Sequence, residues 1–151
     1  AAYSGSGFLM QTEYVTAKTK GFYDDEDLEV DEDSYSYDSW YISGAYMLTG
    51  ESHAYRRKSG TFGNVMPDEP ISKGGWGAWE IAARYSTIDL NDNDEFGGEL
   101  ADITLGLNWY MENNLKTMFN YIRYEADNYN DDSKYKDQDD SIWQTRVSWF
   151  F

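Results

Sequence analysis

The chain has 151 residues, of which 18% are aromatic, and its formal net charge is −16. It contains no cysteine, which excludes disulfide scaffolds, thiol catalysis and cysteine-based metal centres. The acid excess argues against nucleic acid as a partner, because phosphate binding needs a basic face, and the single histidine, His53, is too few for a metal triad of histidines. We therefore expect no enzymatic activity, no cofactor and no metal site.

Six segments alternate apolar and polar side chains with the period of two that is typical of β-strands. They span residues 7–18, 35–48, 76–88, 100–110, 115–125 and 141–151. The clearest is the fourth, in which Ile103 and Leu105 alternate with Asp102 and Thr104. At about 11 residues each, the segments have the length of tilted strands that cross a bilayer. The pattern predicts an all-β, antiparallel fold.

The apolar side of these segments favours a transmembrane β-barrel over a soluble β-sandwich. A sandwich core is usually built of Val, Ile and Leu, whereas this side is rich in Trp and Tyr, as in the belts at the two faces of a membrane. No segment approaches the roughly 18 apolar residues of a membrane-spanning helix. A soluble acidic β-protein that binds divalent cations or carbohydrate remains an alternative.

The connections between the segments differ in length and charge. Three are long and acidic, at residues 19–34, 89–99 and 127–140, whereas residues 112–114 form a tight turn. Because outer-membrane barrels have long extracellular loops and short periplasmic turns, the acidic connections are predicted to be extracellular. The inserted segment 49–75 then lies on the periplasmic side, where it either folds into the lumen and narrows it or forms an ordinary solvated loop.

Several motifs resemble those of the phosphate-selective porin O and P family. They are YISGAYMLTGES at 41–52, GTFG at 60–63, VMP at 65–67, GGWGAWEIAARYSTIDLND at 74–92 and ITLGLNWYMENNLKTMFNYIRYE at 103–125, followed by a closing strand that ends in Phe151. The resemblance implies a sixteen-stranded, trimeric outer-membrane barrel with loops folded into its lumen. Because about eight strands is the smallest number that closes a barrel, we expect the chain to be the last third of such a porin.

The resemblance also implies a function. The expected protein is a channel in the outer membrane of a Gram-negative bacterium, used for passive diffusion of small hydrophilic solutes, with anions such as phosphate as the permeants. The acidic composition favours a cation-preferring or weakly selective porin as the alternative. The implied partners are the lipid bilayer, lipopolysaccharide, the outer-membrane assembly machinery and two further copies of the chain.

Basic residues in two places are the candidate anion contacts, because arginine and lysine donate hydrogen bonds to phosphate oxygens. Those on the inserted segment are Arg56, Arg57 and Lys58. Those that the alternation directs into the predicted lumen are Arg84, Lys116 and Arg146.

Acidic residues directed to the same side are predicted to form ion pairs with the two lumen arginines. They are Glu13, Glu80 and Asp102. Phe151, the terminal aromatic residue of the last strand, resembles the signal that the outer-membrane assembly machinery reads. We expect His53 to be exposed or hydrogen-bonded, without a functional role.

Overall fold

The computed structural model describes residues 1–22, 32–53, 55–56, 61–92, 95–127 and 138–151. The strands in these ranges are β1 (Ala2–Gly5), β2 (Phe8–Phe22), β3 (Glu32–Met47), β4 (Tyr55–Arg56), β5 (Thr61–Phe62), β6 (Ala78–Asp92), β7 (Glu95–Glu112), β8 (Leu115–Asp127) and β9 (Gln138–Trp149). A short 3₁₀ turn, Ile71–Lys73, precedes β6. Within the described ranges, no helix is long and apolar enough to cross a membrane.

Seven of the strands form one antiparallel sheet, in the order β1, β2, β3, β6, β7, β8, β9. The sheet is a meander, in which strands follow one another in chain order, with β4 and β5 set aside between β3 and β6. Ser6 and Gly7, both with positive φ, connect β1 to β2, and Asn113 and Asn114 connect β7 to β8. β4 and β5 pair with each other in a separate hairpin. The prediction of an all-β, antiparallel fold is confirmed.

The register gives the sheet one polar and one apolar face, because directly paired residues of antiparallel strands point to the same side. The polar face includes Gln11, Glu13, Ser43, Glu80, Arg84, Ser86, Asp102, Thr104, Asn108, Lys116, Asn120, Gln144 and Arg146. The apolar face includes Phe8, Met10, Trp40, Ile42, Tyr46, Trp79, Ile81, Tyr85, Ile103, Leu105, Leu107, Trp109, Phe119, Tyr121 and Trp143.

Aromatic rings pair near both ends of the apolar face. At one end Trp79 stacks on Trp109 with 5.0 Å between the ring centroids, and towards the other end Trp40 lies 5.4 Å from Tyr85. Beyond the second pair, successive cross-strand partners on the same face are all acidic: Asp38, Asp89, Glu99 and Asp127. An apolar band bounded by aromatic residues and then by charge is typical of a transmembrane barrel wall.

The sheet has one strand more than the predicted six, and its last strand begins and ends earlier than predicted. β1 was missed because its four residues are too few to show an alternating pattern. The final segment was predicted to run to residue 151, but β9 ends at Trp149, because its partner there, Leu115, is the first residue of β8. Phe150 and Phe151 lie beyond the strand, and the Phe150 amide donates to the carbonyl of Asn114 at 2.8 Å.

All three of the predicted acidic loops are partly strand, and in the third, 127–140, Asp127 belongs to β8 and residues 138–140 belong to β9. Within residues 89–99, β6 continues to Asp92, which pairs with Glu95 of β7, although the register shifts at a bulge on the way. In the same way β2 and β3 extend into the predicted loop 19–34. Charged side chains do not prevent this pairing, because the ladder uses backbone groups alone.

Buried apolar side chains collect at one end of the polar face. Met47, Ala78 and Tyr110 come from β3, β6 and β7, and Val65 comes from the inserted segment; each of the four is at most 8% exposed. At Val65 the inserted segment therefore packs onto the polar face instead of extending away from the sheet.

Two glycines permit backbone to pack on backbone where this segment rejoins the sheet. A Cβ on Gly77, whose φ is 70°, would overlap the carbonyl oxygen of Tyr110, and a Cβ on Gly75 would overlap the backbone of Glu69. The positive φ of Gly77 also explains why β6 begins at Ala78 and not at residue 76, as predicted.

Gly77→Ala should lower the free energy of unfolding of the full-length protein by about 2 kcal/mol or more, through the clash and the positive φ together. Gly50→Ala is the matched control: Gly50 has a φ of 99°, but no atom lies within 4 Å of a Cβ there. The control should therefore lose only about 1 kcal/mol, the cost of the backbone conformation alone. Equal thermal unfolding of the two variants would contradict this packing.

Candidate functional site

The inserted segment is attached to the sheet by hydrogen bonds near both ends of the segment. The amide of Trp79 donates to Thr49 Oγ1 at 3.0 Å, and Thr49 in turn donates to the carboxylate of Glu51. At the far end the amide of Ser72 donates to Glu112 Oε1 at 2.6 Å. These contacts give the LTGE sequence at 48–51 a structural role, because its Thr49 and Glu51 side chains fix the first turn of the inserted segment.

Glu80 is the centre of a buried polar cluster where the segment covers the polar face. The residue is 4% exposed and lies on β6. Its carboxylate accepts hydrogen bonds from Asn108 Nδ2, from Tyr110 Oη at 3.2 Å and from His53 Nε2 of the inserted segment. A buried carboxylate is stable only where donors replace water, and here three side chains supply them, one from the inserted segment and two from β7.

Two cations adjoin this cluster. Lys116 on β8 places its Nζ 5.3 Å from the ring centroid of Tyr110, and it interacts electrostatically with both Glu80 and Arg146. Arg146 on β9 is exposed and points to the same polar face. Val65 of the inserted segment lines a small cavity with Lys116. Lys116 therefore lies beside the inserted segment, and Arg146 lies within electrostatic range of Lys116.

Arg84 lies further along the polar face, towards the acidic connections. Its guanidinium carbon is 4.4 Å from the ring centroid of Tyr41. A shallow cavity of about 180 Å³ lies beside it, with Gln11 and Thr104 among its lining residues. The arrangement leaves the guanidinium exposed in a concave part of the polar face.

The structure does not join the predicted acidic partners to the lumen arginines. Asp102 accepts hydrogen bonds from Ser86 and from Thr104 Oγ1, the latter at 3.1 Å, and Glu80 is held by His53, Asn108 and Tyr110. Glu13 is exposed on β2. In the described part of the chain, neither Arg84 nor Arg146 forms an ion pair; Arg123 pairs with Asp139 there, and the His53 imidazole is hydrogen-bonded to Glu80.

The structure describes only some of the remaining predicted site residues. Arg56 belongs to β4, and Arg57 and Lys58 lie outside the described residues. Phe151 is fully exposed at the end of the chain.

Sequence reasoning assigned no role to His53, Asn108 and Tyr110, which meet at Glu80. The face of the last two follows from the alternation of β7, so their proximity to Glu80 could have been inferred once the register was known. His53 lies 27 residues from Glu80 in the chain, and no sequence pattern connects the two.

Comparison with known proteins identifies related chains. The family model "Phosphate-selective porin O and P" matches residues 1–151. Porin O of Pseudomonas aeruginosa is 29% identical over 159 aligned residues, which cover 99% of this chain and 34% of Porin O. A protein of Caulobacter vibrioides that is described as uncharacterized is 35% identical over 81 residues, 54% of this chain and 16% of that protein. The chain thus spans about a third or less of the length of the curated relatives it matches.

Glu80→Ala should lower the free energy of unfolding by about 2–4 kcal/mol, because it leaves the buried donors of His53, Asn108 and Tyr110 without an acceptor. Glu80→Gln keeps one acceptor oxygen and should lose less. Thermal unfolding of the full-length variants measures the effect, with Glu99→Ala as a control at an exposed carboxylate. A Glu80→Ala protein as stable as the control would show that the cluster does not support the fold.

Proposed function

The chain belongs to the phosphate-selective porin O and P family, and we propose that it forms the C-terminal third of a trimeric porin that conducts small anions such as phosphate. Membership places the chain in an outer-membrane β-barrel, in agreement with the prediction. It also overturns the alternative of a soluble β-protein. In such a barrel the apolar face contacts lipid and the polar face lines a water-filled lumen.

The observation that carries the proposal is the state of the charged groups on the polar face. The carboxylates of Glu80 and Asp102 are occupied by hydrogen bonds from neutral side chains and from His53, so Arg84 and Arg146 keep their charges free of an ion pair in the described part of the chain. Exposed guanidinium groups can replace part of the hydration shell of a passing anion.

The inserted segment supplies the second element of the mechanism. It covers one end of the polar face beside Lys116, which interacts electrostatically with Arg146, so a solute that follows this wall passes the two cations near the end that the segment covers. Permeation is passive: the solute diffuses through water, and the charges of the wall set which ions enter. Arg56, Arg57 and Lys58 remain candidate anion contacts on the same segment.

A weakly selective or cation-preferring porin is the second candidate. One row of the polar face carries three carboxylates, Glu13, Asp102 and Asp140, on strands that are linked by direct cross-strand partners. At this level the wall attracts cations, in keeping with the net charge of −16. The two candidates differ in which ion carries the current.

Two of the proposed partners, lipopolysaccharide and the assembly machinery, are argued from residues at the edge of the apolar face and at the end of the last strand. The row Asp38, Asp89, Glu99 and Asp127 lies beyond the aromatic residues of the apolar face, where lipopolysaccharide phosphates bridged by divalent cations would lie. Phe151, which is fully exposed, is the proposed contact of the assembly machinery. Homotrimer formation rests on the family resemblance.

Neutralising both cations, Lys116→Gln with Arg146→Gln, should lower the anion-to-cation permeability ratio about fivefold, the equivalent of losing roughly 1 kcal/mol of anion attraction. Lys18→Gln is the matched control, because Lys18 is exposed on the opposite face of β2. Reversal potentials of the full-length porin in a salt gradient measure the ratio.

Phosphate selectivity has its own measurement in the same bilayers. Millimolar phosphate should block the chloride current of the wild-type channel, and the double variant should need about fivefold more phosphate for the same block. A wild-type channel that phosphate does not block would overturn the phosphate assignment. A cation-selective reversal potential would favour the second candidate.

A further inference from the structure

We propose that His53 is a positioning residue, which holds the β4–β5 hairpin over the polar face through its contact with Glu80 and so sets the width of the channel at this end. The proposal rests on the proposed function, because it assumes that the polar face lines the lumen. It adds a role for a residue that the sequence analysis expected to have none.

The attachment of the inserted segment has two distinct parts. Thr49, Glu51 and Ser72 bind the sheet or each other near the two ends of the segment. Between these ends, His53 contacts Glu80, Val65 lies in the buried apolar group with Tyr110, and Asn64 lines the same small cavity as Tyr110 and Lys116. β4 and β5 lie between these two points in the chain.

The hairpin itself is small. β4 and β5 have two residues each, paired as Tyr55 with Phe62 and Arg56 with Thr61, and the rings of the first pair are 5.3 Å apart. A two-residue hairpin is too short to hold its own position in water. The position of β4 and β5 relative to the polar face therefore depends on their anchors, the flanking residues that contact that face, His53 before the hairpin and Val65 after it.

The His53–Glu80 contact is suited to serve as such an anchor. Both side chains are 5% exposed, so little water competes for the hydrogen bond. Glu80 is itself fixed by Asn108 and Tyr110 on β7, in the middle of the sheet. His53 thus binds to a rigid point of the barrel wall, whereas Val65 supplies apolar contact without a directional bond.

Single-channel conductance of the full-length porin in potassium chloride tests the proposal. His53→Ala should raise the conductance roughly 1.5-fold to twofold, because the released hairpin no longer narrows the lumen. His53→Gln, whose amide can still donate to Glu80, should restore a value close to that of the wild type. Ser52→Ala is the matched control, since Ser52 is an exposed neighbour on the same segment. A side chain that only stabilised the fold would reduce the number of channels without widening them.

A second readout does not depend on conduction. Amide hydrogen exchange of residues 61–66 in the detergent-solubilised protein should be faster in His53→Ala than in His53→Gln, in Ser52→Ala or in the wild type. If His53→Ala does not assemble, His53→Asn, whose side chain is too short to reach Glu80, takes its place in both measurements.

Unchanged conductance together with unchanged exchange in the variant that lacks the contact would overturn the positioning role. This outcome is separate from the outcome for phosphate, since the conductance comparison uses chloride alone and the exchange measurement needs no current. A channel that phosphate fails to block therefore removes the anion assignment and leaves the role of His53 to be decided by exchange and conductance.

Discussion

Backbone hydrogen bonding is the constraint on which the rest of this structure depends. In the hydrocarbon of a bilayer every N–H and C=O group needs a partner within the protein, at a cost of several kcal/mol for each group left unpaired. The seven-stranded meander meets this demand for its inner strands, but the outer edges of β1 and β9 have no neighbour in the described sheet. We infer that further strands of the barrel pair with both edges, which agrees with a chain that spans about a third of Porin O.

The same constraint decides how much of the fold the sequence predicts. Alternation identifies the faces, because a strand in a barrel wall contacts lipid on one side and water on the other. It does not identify the strand ends: pairing continues into the acidic residues around Asp92 and Glu95, where no lipid remains and the side chains carry no pattern. β1 could not be predicted from the sequence, because four residues do not establish a period.

The candidate site is predictable to the same extent. Arg84, Lys116 and Arg146 lie on the polar face because their positions in the alternation require it. The alternation does not predict the partners of these residues, because a carboxylate on this face can accept a hydrogen bond from any nearby donor. Glu80 is held by His53 from a distant loop as well as by Asn108 and Tyr110, and this arrangement leaves the arginines exposed. Local sequence carries no information about a contact of that kind.

Cysteine accessibility tests the central claim, that one face of this sheet lines a water-filled channel and the other contacts lipid. The chain has no cysteine of its own, so Arg84→Cys and Ala83→Cys place single thiols on adjacent residues of opposite faces, in a full-length porin without other cysteines. A charged, membrane-impermeant thiol reagent should label the cysteine at 84 and reduce the channel current, and should leave the cysteine at 83 unlabelled. Labelling at 83 but not at 84, or equal labelling of both, would contradict the account.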